Sequence, residues 1–326
     1  MKRPAIRIIS LGPMAPGSRQ AWSSALEGLA ITDMPSAAPS GWRWGSRVMG
    51  IGCDAFAIAF LGRFSRPSRA TLAANPWPGV ACRLFGMRNV AVTGIYAQPG
   101  SRSWRLLRSA LRSVPIVCTS ELEAAAWRRE GGRATAVLWG GTTGVQMSAP
   151  PQGRIRIFVG GSSDRDPEAV AQLVEEAKED RATVDVVIAD GSGPWSWKGT
   201  KASVSALPFV PQDIFLMELA NSHVSYLPLE DKHRSAGHMV LVASLEAGLP
   251  TVISRTRGVA EYVTADLNVV DGYPGLEFLM QIASADEDSR ANLREKWREG
   301  FSEEAYAARV SAALASLGWP RDIYEN

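Results

Sequence analysis

The sequence predicts an α/β chain built from two Rossmann-like domains facing a cleft, and three observations carry that expectation. Strand-like and helix-like segments alternate almost throughout the 326 residues, as in parallel sheets covered by helices on both faces. The alternation breaks at 148–153 (SAPPQG) and then restarts, so this proline-bearing stretch reads as a linker. The length also exceeds the roughly 250–300 residues over which a single core keeps growing. The expected domains are therefore 1–150 and 151–326.

In the first domain, 7–11 (RIISL) is a short β-branched run, followed by a glycine- and proline-containing turn and a helical stretch at 19–30. Segment 54–61 reads equally as strand or buried helix, since periodicity alone does not separate them. Strands follow at 89–94, 114–119 and 134–139, with helices at 101–113 and 121–130 between them. In the second domain, strands are expected at 154–159, 183–189, 203–210, 223–228 and 251–254. Helices are expected at 166–179, 212–221 and 237–247, and a largely helical tail runs over 275–317. Ligands in such sheets bind at the carboxyl ends of strands, so the loops after the strands are where chemistry is sought.

Composition narrows the function classes. Apolar residues make up 46% and charged residues 21%, which is ordinary globular composition rather than disorder. Cys53, Cys82 and Cys118 are too few and too scattered for a disulfide framework or a zinc cluster, and they fit a reducing, cytoplasmic setting. No apolar run reaches the roughly 20 residues of a membrane span, and the N-terminal residues show no secretion core. The net charge of +2 hides an asymmetry. Residues 1–152 carry eighteen Lys and Arg against six Asp and Glu, while 153–326 carry seventeen against twenty-seven. A basic first domain implies an anionic partner, and the second domain is an ordinary acidic one.

Three loops carry candidate chemistry. The first, 159–166 (VGGSSDRD), follows the first strand of the second domain. Gly160, Gly161 and Ser162 permit close backbone approach to a phosphate, the next helix start offers N–H groups, and Arg165 offers a forked cation. Read blandly, it is a glycine turn with Ser163 or Asp166 as helix cap. The second runs from Pro228 through Glu230 to Ser235, Ala236, Gly237 and His238, where small residues open an apolar helix and form an anion-compatible nest. The third holds Gly12, Gly17, Ser18 and Arg19 between the first strand and helix, and it does not match a dinucleotide fingerprint.

The segment LEAGLPTV at 245–252, opened by Ser235-Ala236-Gly237, resembles the retaining GT-B glycosyltransferases of the large family four type (glycogen-synthase and group 1 like). Gly160 with Arg165, 258–263 (GVAEYV), 114–129 and 138–141 extend the resemblance across 105–265. The resemblance implies GT-B architecture and a nucleotide-diphosphate sugar as donor substrate, with no further cofactor. It assigns the donor diphosphate to Gly160 and Arg165, the donor side to the second domain, and the loop with Gly17, Ser18 and Arg19 to a place between donor and acceptor. The family's paired glutamates, seven residues apart, fall here on Ser235 and Ala243. Glu230 and Glu246 are the nearby carboxylates, and both read equally as solvated surface residues.

His223, His233 and His238 all lie in the second domain, so no histidine base is available on the acceptor side. Asp33 and Asp54 are the candidate carboxylate bases there. A retaining reaction needs no such base, because the departing diphosphate takes the acceptor proton, and that agrees with the resemblance. No residue cluster has metal-ligand spacing. On helix 101–113, Arg102, Arg105, Arg108 and Arg112 fall in one stripe opposite Trp104, Leu107, Ala110 and Leu111. This cationic stripe is the acceptor-side expectation, with Trp42 and Trp44 as stacking candidates. The acceptor class expected is an anionic one: a lipid-linked glycan or a membrane surface, reached by a cytoplasmic protein at the membrane periphery. A DNA-modifying glycosyltransferase acting on a hydroxylated base is the alternative, and a GT-B-like non-catalytic binding protein is another.

Overall fold

A computed structural model describes residues 5–9, 30–34 and 70–319, apart from 74, 96, 147–152, 233 and 265–266. The expectations for the loop with Gly17, Ser18 and Arg19, for Trp42 and Trp44, for Asp54, for His233 and for most of the linker lie outside the described residues. The chain forms two compact units, 1–138 with 303–326, and 139–302. This division differs from a cut at residue 150. Residues 139–146 belong with the second unit and the last helix with the first.

The first unit holds a parallel sheet of β1 (Ala5–Ile9), β2 (Ala30–Met34), β3 (Ala70–Ala73), β4 (Val90–Thr93), β5 (Pro115–Cys118) and β6 (Arg133–Ala136). Among the described residues the order is β2-β1-β3-β4-β5-β6. Short strands buried along their whole length, such as VAVT and PIVC, suit a sheet covered on both faces. Helices α1 (Pro76–Leu84), α2 (Arg102–Leu111) and α3 (Glu121–Arg129) pack on one face. No element is expected from the sequence at 76–84, where α1 forms. Asn75 caps it, accepting from the Trp77 amide, and Pro76 sits in the first turn where proline is tolerated. Nor are β2 and β3 expected from the sequence.

Helix α2 buries Trp104, Leu107 and Leu111 as its apolar stripe requires. Trp104 meets Trp127 of α3 edge-on, with ring centroids 5.1 Å apart. Arg108 departs from the expected cationic stripe. It is buried, lies 4.6 Å over the Trp127 ring and pairs with Glu130 at 3.1 Å. At 100° per residue it stands between Trp104 and Arg112, on the flank that faces α3. Arg102, Arg105 and Arg112 are exposed, as expected.

The second unit's sheet contains β7 (Ile155–Gly160), β8 (Val184–Ala189), β9 (Trp195–Lys198), β10 (Ala202–Ala206), β11 (Val224–Leu227), β12 (Thr251–Ser254) and β13 (Asn268–Val270). Its order is β13-β12-β11-β7-β8-β10-β9, parallel except for the edge strand β9. Helices α4 (Pro167–Lys178), α5 (Gln212–Ala220), α6 (His238–Glu246), α7 (Leu276–Ala283) and α8 (Glu287–Gly300) complete it. Leu173, Leu276 and Leu279 cover the face that carries Val159, Val186, Val204 and Val252. Phe215 of α5 packs on Phe158 from the other face. The chain moves from β7 to β8 and β10, then returns to place β11 on the opposite side of β7, so the sheet's direction of growth reverses between β7 and β11.

The last helix, α9 (Glu303–Ser316), belongs to the first unit, where it packs on β5. The Arg309 guanidinium donates to the Leu138 carbonyl at 3.1 Å, and Arg133 of β6 donates to the Leu317 carbonyl. No helix among the described residues is long and apolar enough to cross a membrane.

Replacing Arg108 by Gln removes the ion pair and the cation–π contact from a buried position, and urea unfolding should show a loss of about 2 kcal/mol. The same change at exposed Arg102 should stay within about 0.5 kcal/mol.

Candidate functional site

Reversal between β7 and β11 leaves a crevice outside their carboxyl ends, flanked by the loops that follow them. The structure brings those two loops together. Arg165 and Leu229 form an antiparallel bridge. The Asp166 amide donates to the Pro228 carbonyl at 3.1 Å, and the Glu230 amide to the Asp164 carbonyl at 3.0 Å. Asp164 adopts φ +52° with its carboxylate buried, and takes both Arg234 Nε at 2.5 Å and Nη2 at 2.8 Å. Lys232 approaches the same carboxylate at 3.9 Å. The turn after β12 closes in from the other side. A side chain at Gly258 would come within 2.0 Å of the Arg234 carbonyl oxygen, so only glycine allows that approach.

The loop after β7 is arranged differently from expectation. The Gly161 amide is spent on the Ala189 carbonyl at 3.0 Å. Arg165 folds back onto its own loop, donating from Nε to the Gly160 carbonyl at 2.7 Å and from Nη1 to the Ser163 carbonyl at 2.9 Å. Desolvation by burial lowers its pKa to about 10, against the opposing pull of Asp164 and Asp190. The start of α4 is capped, because Asp166 accepts the Glu168 and Ala169 amides, and Pro167 lacks an N–H. The bland reading of this helix start, Asp166 as cap, is the observed one. Ser162 and Ser163 remain exposed at the loop tip.

Helix α6 presents the opposite case. No side chain caps its first turn, and that turn carries no acidic residue. Gly237, at φ +77°, is the left-handed residue that turns the chain into it. Among the described residues nothing accepts from its leading N–H groups, which stand with the positive end of the dipole at the carboxyl edge. Ala236 is buried beneath, and Ser235 Oγ lies 3.0 Å from His238 Nδ1. The His238 ring stacks on Tyr262 at 5.4 Å and meets Trp139 edge-on at 6.0 Å. Burial lowers its pKa to about 4, so near neutral pH it is an uncharged hydrogen-bonding ring rather than a cation.

Of the two nearby glutamates, Glu246 is the one withdrawn from solvent. Glu230 is half-buried and paired with Lys232. Glu246 is fully buried and accepts from Thr143 N at 2.8 Å, Thr143 Oγ1 at 2.7 Å and Gly144 N at 3.0 Å. It fixes the 139–146 segment, whose Trp139 amide donates to Tyr262 Oη and whose Gly141 carbonyl accepts from Trp297 Nε1. His223 lies away from this edge, at the start of β11, where its Nδ1 accepts the Arg156 amide. Among the described residues no three His, Cys, Asp or Glu side chains gather as a metal site.

Sequence reasoning missed Asp164, Arg234, Trp139 and Tyr262. Asp164 and Arg234 are 70 residues apart, and only the adjacency of β7 and β11 joins them.

The architecture has close counterparts among solved structures. Sucrose-phosphate synthase from Thermosynechococcus elongatus superposes with a TM-score of 0.69 at 14% identity, over 97% of this chain and 99% of that one. Anabaena HepE in complex with UDP-glucose gives 0.61 at 10% identity, over 96% and 100%. The trehalose 6-phosphate synthase of Burkholderia multivorans gives 0.61 at 13%, over 98% and 97%. The chain has the GT-B fold. No protein-family model matches the sequence, and no curated protein matches it. At the switch point of the second unit, the loop after β7 reaches the first turn of α6, where a Cβ at Gly161 would stand 3.2 Å from Val240 Cγ2.

Two outcomes follow from the second unit's geometry. Glu246→Ala removes a buried carboxylate that accepts three hydrogen bonds from the part-exposed residues 143–144, and urea unfolding of the full chain should register roughly 2 kcal/mol of lost stability. His238 makes stability pH-dependent. The unfolded imidazole binds its proton near 6.5 and the folded one only near 4, so stability falls as pH drops through that window, by roughly 3 kcal/mol in all. A His238→Gln variant should unfold with that slope removed.

Proposed function

We propose that the chain is a glycosyltransferase that takes a sugar from a nucleotide-diphosphate donor, with a uridine nucleotide as the first candidate, and transfers it to an anionic acceptor. The observation that carries the reading is the uncapped, acid-free start of α6 at the β7/β11 switch point. Two adjoining phosphates match a helix N-terminus whose amides lack partners, beside a serine loop tip. The GT-B fold and the UDP-glucose complex of Anabaena HepE support the choice of nucleotide.

The diphosphate is assigned to the α6 amides, Gly237 and the Ser162–Ser163 tip. Gly160, Gly161 and Arg165 shape that tip from behind, since their polar groups already serve the loop. Ser235 and neutral His238 offer uncharged hydrogen-bonding groups toward the donor, where the resembling family has a carboxylate. Glu230, Ala236 and the latch of Asp164 on Arg234 hold the wall of this pocket.

A retaining course is the finer proposal. His223 and His238 are both engaged inside the second unit, and His238 stays unprotonated near neutrality. Neither serves as an acceptor-side base. The departing diphosphate, held by the α6 dipole, then receives the acceptor proton. Product anomers read by NMR test this: an α-configured UDP-sugar should give an α-linked product, and a β-linked product contradicts it.

The donor assignment is tested at Met239, which is 58% exposed in the first turn of α6. Met239→Glu puts a negative charge where the diphosphate is placed and, being exposed, leaves the core intact. Calorimetric UDP affinity should drop by about 1 kcal/mol, roughly fivefold. Unchanged affinity rejects the α6 assignment. Failure of the parent protein to bind any nucleotide diphosphate favours the non-catalytic alternative.

A further inference from the structure

We propose that the outward face of α2 is a docking surface for an anionic lipid bilayer. The inference deepens the anionic-acceptor reading and rests on it for calling the first unit the acceptor side.

Arg102, Ser103, Arg105, Leu106, Ser109, Arg112 and Ser113 are the exposed positions of this helix and its end. Except for Ser103 they fall within an arc of roughly 120° at 100° per residue. Arg102, Arg105 and Arg112 have no ion-pair partner among the described residues, in contrast to Arg108 and Arg128, which pair with Glu130 and Glu121. Leu106 stands beside these arginines 63% exposed, and the serines between are too small to cover it. Leu84, at the end of the neighbouring helix α1, is 65% exposed, and exposed Arg88 follows it.

The surrounding sequence keeps the same bias. Residues 55–120 contain nine arginines and no aspartate or glutamate, and no lysine occurs between Lys2 and Lys178. Three guanidinium groups unpaired among the described residues, with no acidic neighbour on the helix, leave this face uncompensated positive, and Leu106 adds apolar area among them. Guanidinium groups suit phosphate oxygens bidentately and are weakly hydrated, which fits them to a headgroup layer. An apolar side chain among cations gains free energy by entering the acyl boundary of a bilayer. A nucleic-acid backbone offers the arginines phosphates but gives Leu106 nothing to enter. The combination therefore selects lipid over nucleic acid.

Sedimentation of the full chain with vesicles tests the proposal, using phosphatidylcholine alone and phosphatidylcholine mixed with phosphatidylglycerol. Binding should require the anionic lipid. Replacing Arg102, Arg105 and Arg112 by Gln should lower partitioning by roughly fivefold per arginine. Leu106→Ser should abolish the part of the binding that survives raised salt, whereas Lys201→Gln, an exposed change in the second unit, should alter nothing. Equal binding to neutral vesicles, a triple variant that binds like the parent, or tighter binding to duplex DNA than to vesicles would overturn it. UDP calorimetry on the same samples separates the two readings. Vesicle binding without nucleotide binding sinks the transferase reading and leaves the docking face standing. Nucleotide binding without vesicle binding sinks the docking face alone.

Discussion

The seam between β7 and β11 sets the chemistry of the second unit. Parallel neighbours whose connections leave in opposite directions cannot share a covering loop, so their carboxyl ends stay open. The buried Asp164 carboxylate bridges that opening by holding Arg234 in a forked pair. Its left-handed backbone costs about 1 kcal/mol, which a charge-assisted bidentate pair offsets. Backbone bonds at 164–166 and 228–230 run the same way. The loops are thereby fixed as one rim, and the α6 start beneath them is left unfilled.

Division of the two helix starts follows from their first residues. Asp166-Pro167 gives α4 its own internal anion and removes one donor. Gly237-His238 gives α6 neither, and burial keeps the imidazole neutral where a proton would meet the helix dipole. At the far end of the same helix, left-handed Gly248 lets the Gly248 and Leu249 amides donate to the Leu245 and Ser244 carbonyls at 3.0 and 2.8 Å. The helix thus carries a satisfied end and an unsatisfied one, and only the unsatisfied end has capacity for a substrate.

Much of the fold was legible because parallel strands buried on both faces read as Val/Ile-rich runs, as in VDVVIA and TVIS. Segments that broke this rule were lost. Strand β9 (WSWK) is an edge strand flanked by Gly-Pro and glycine, and its polar face hides it. Helix α1 begins with prolines, although Asn75 before Pro76 was the readable start signal. The place of Gly160, Ser235 and Gly237 at the ends of strands or in the loops after them was legible. The partition of their hydrogen bonds was not, since the Gly161 amide depends on Ala189 and Asp164 on Arg234, both distant in sequence. Helical periodicity placed Arg108 in the exposed stripe, but its burial depends on the Trp127–Glu130 shelf of a neighbouring helix.

Amide hydrogen exchange with and without UDP addresses the central claim directly, because it reads the backbone groups assigned to the diphosphate. Added protection is expected at residues 238–240 and at 162–163, with little change at 168–170, where α4 is already capped. Protection at the α4 start with none at α6 would contradict it.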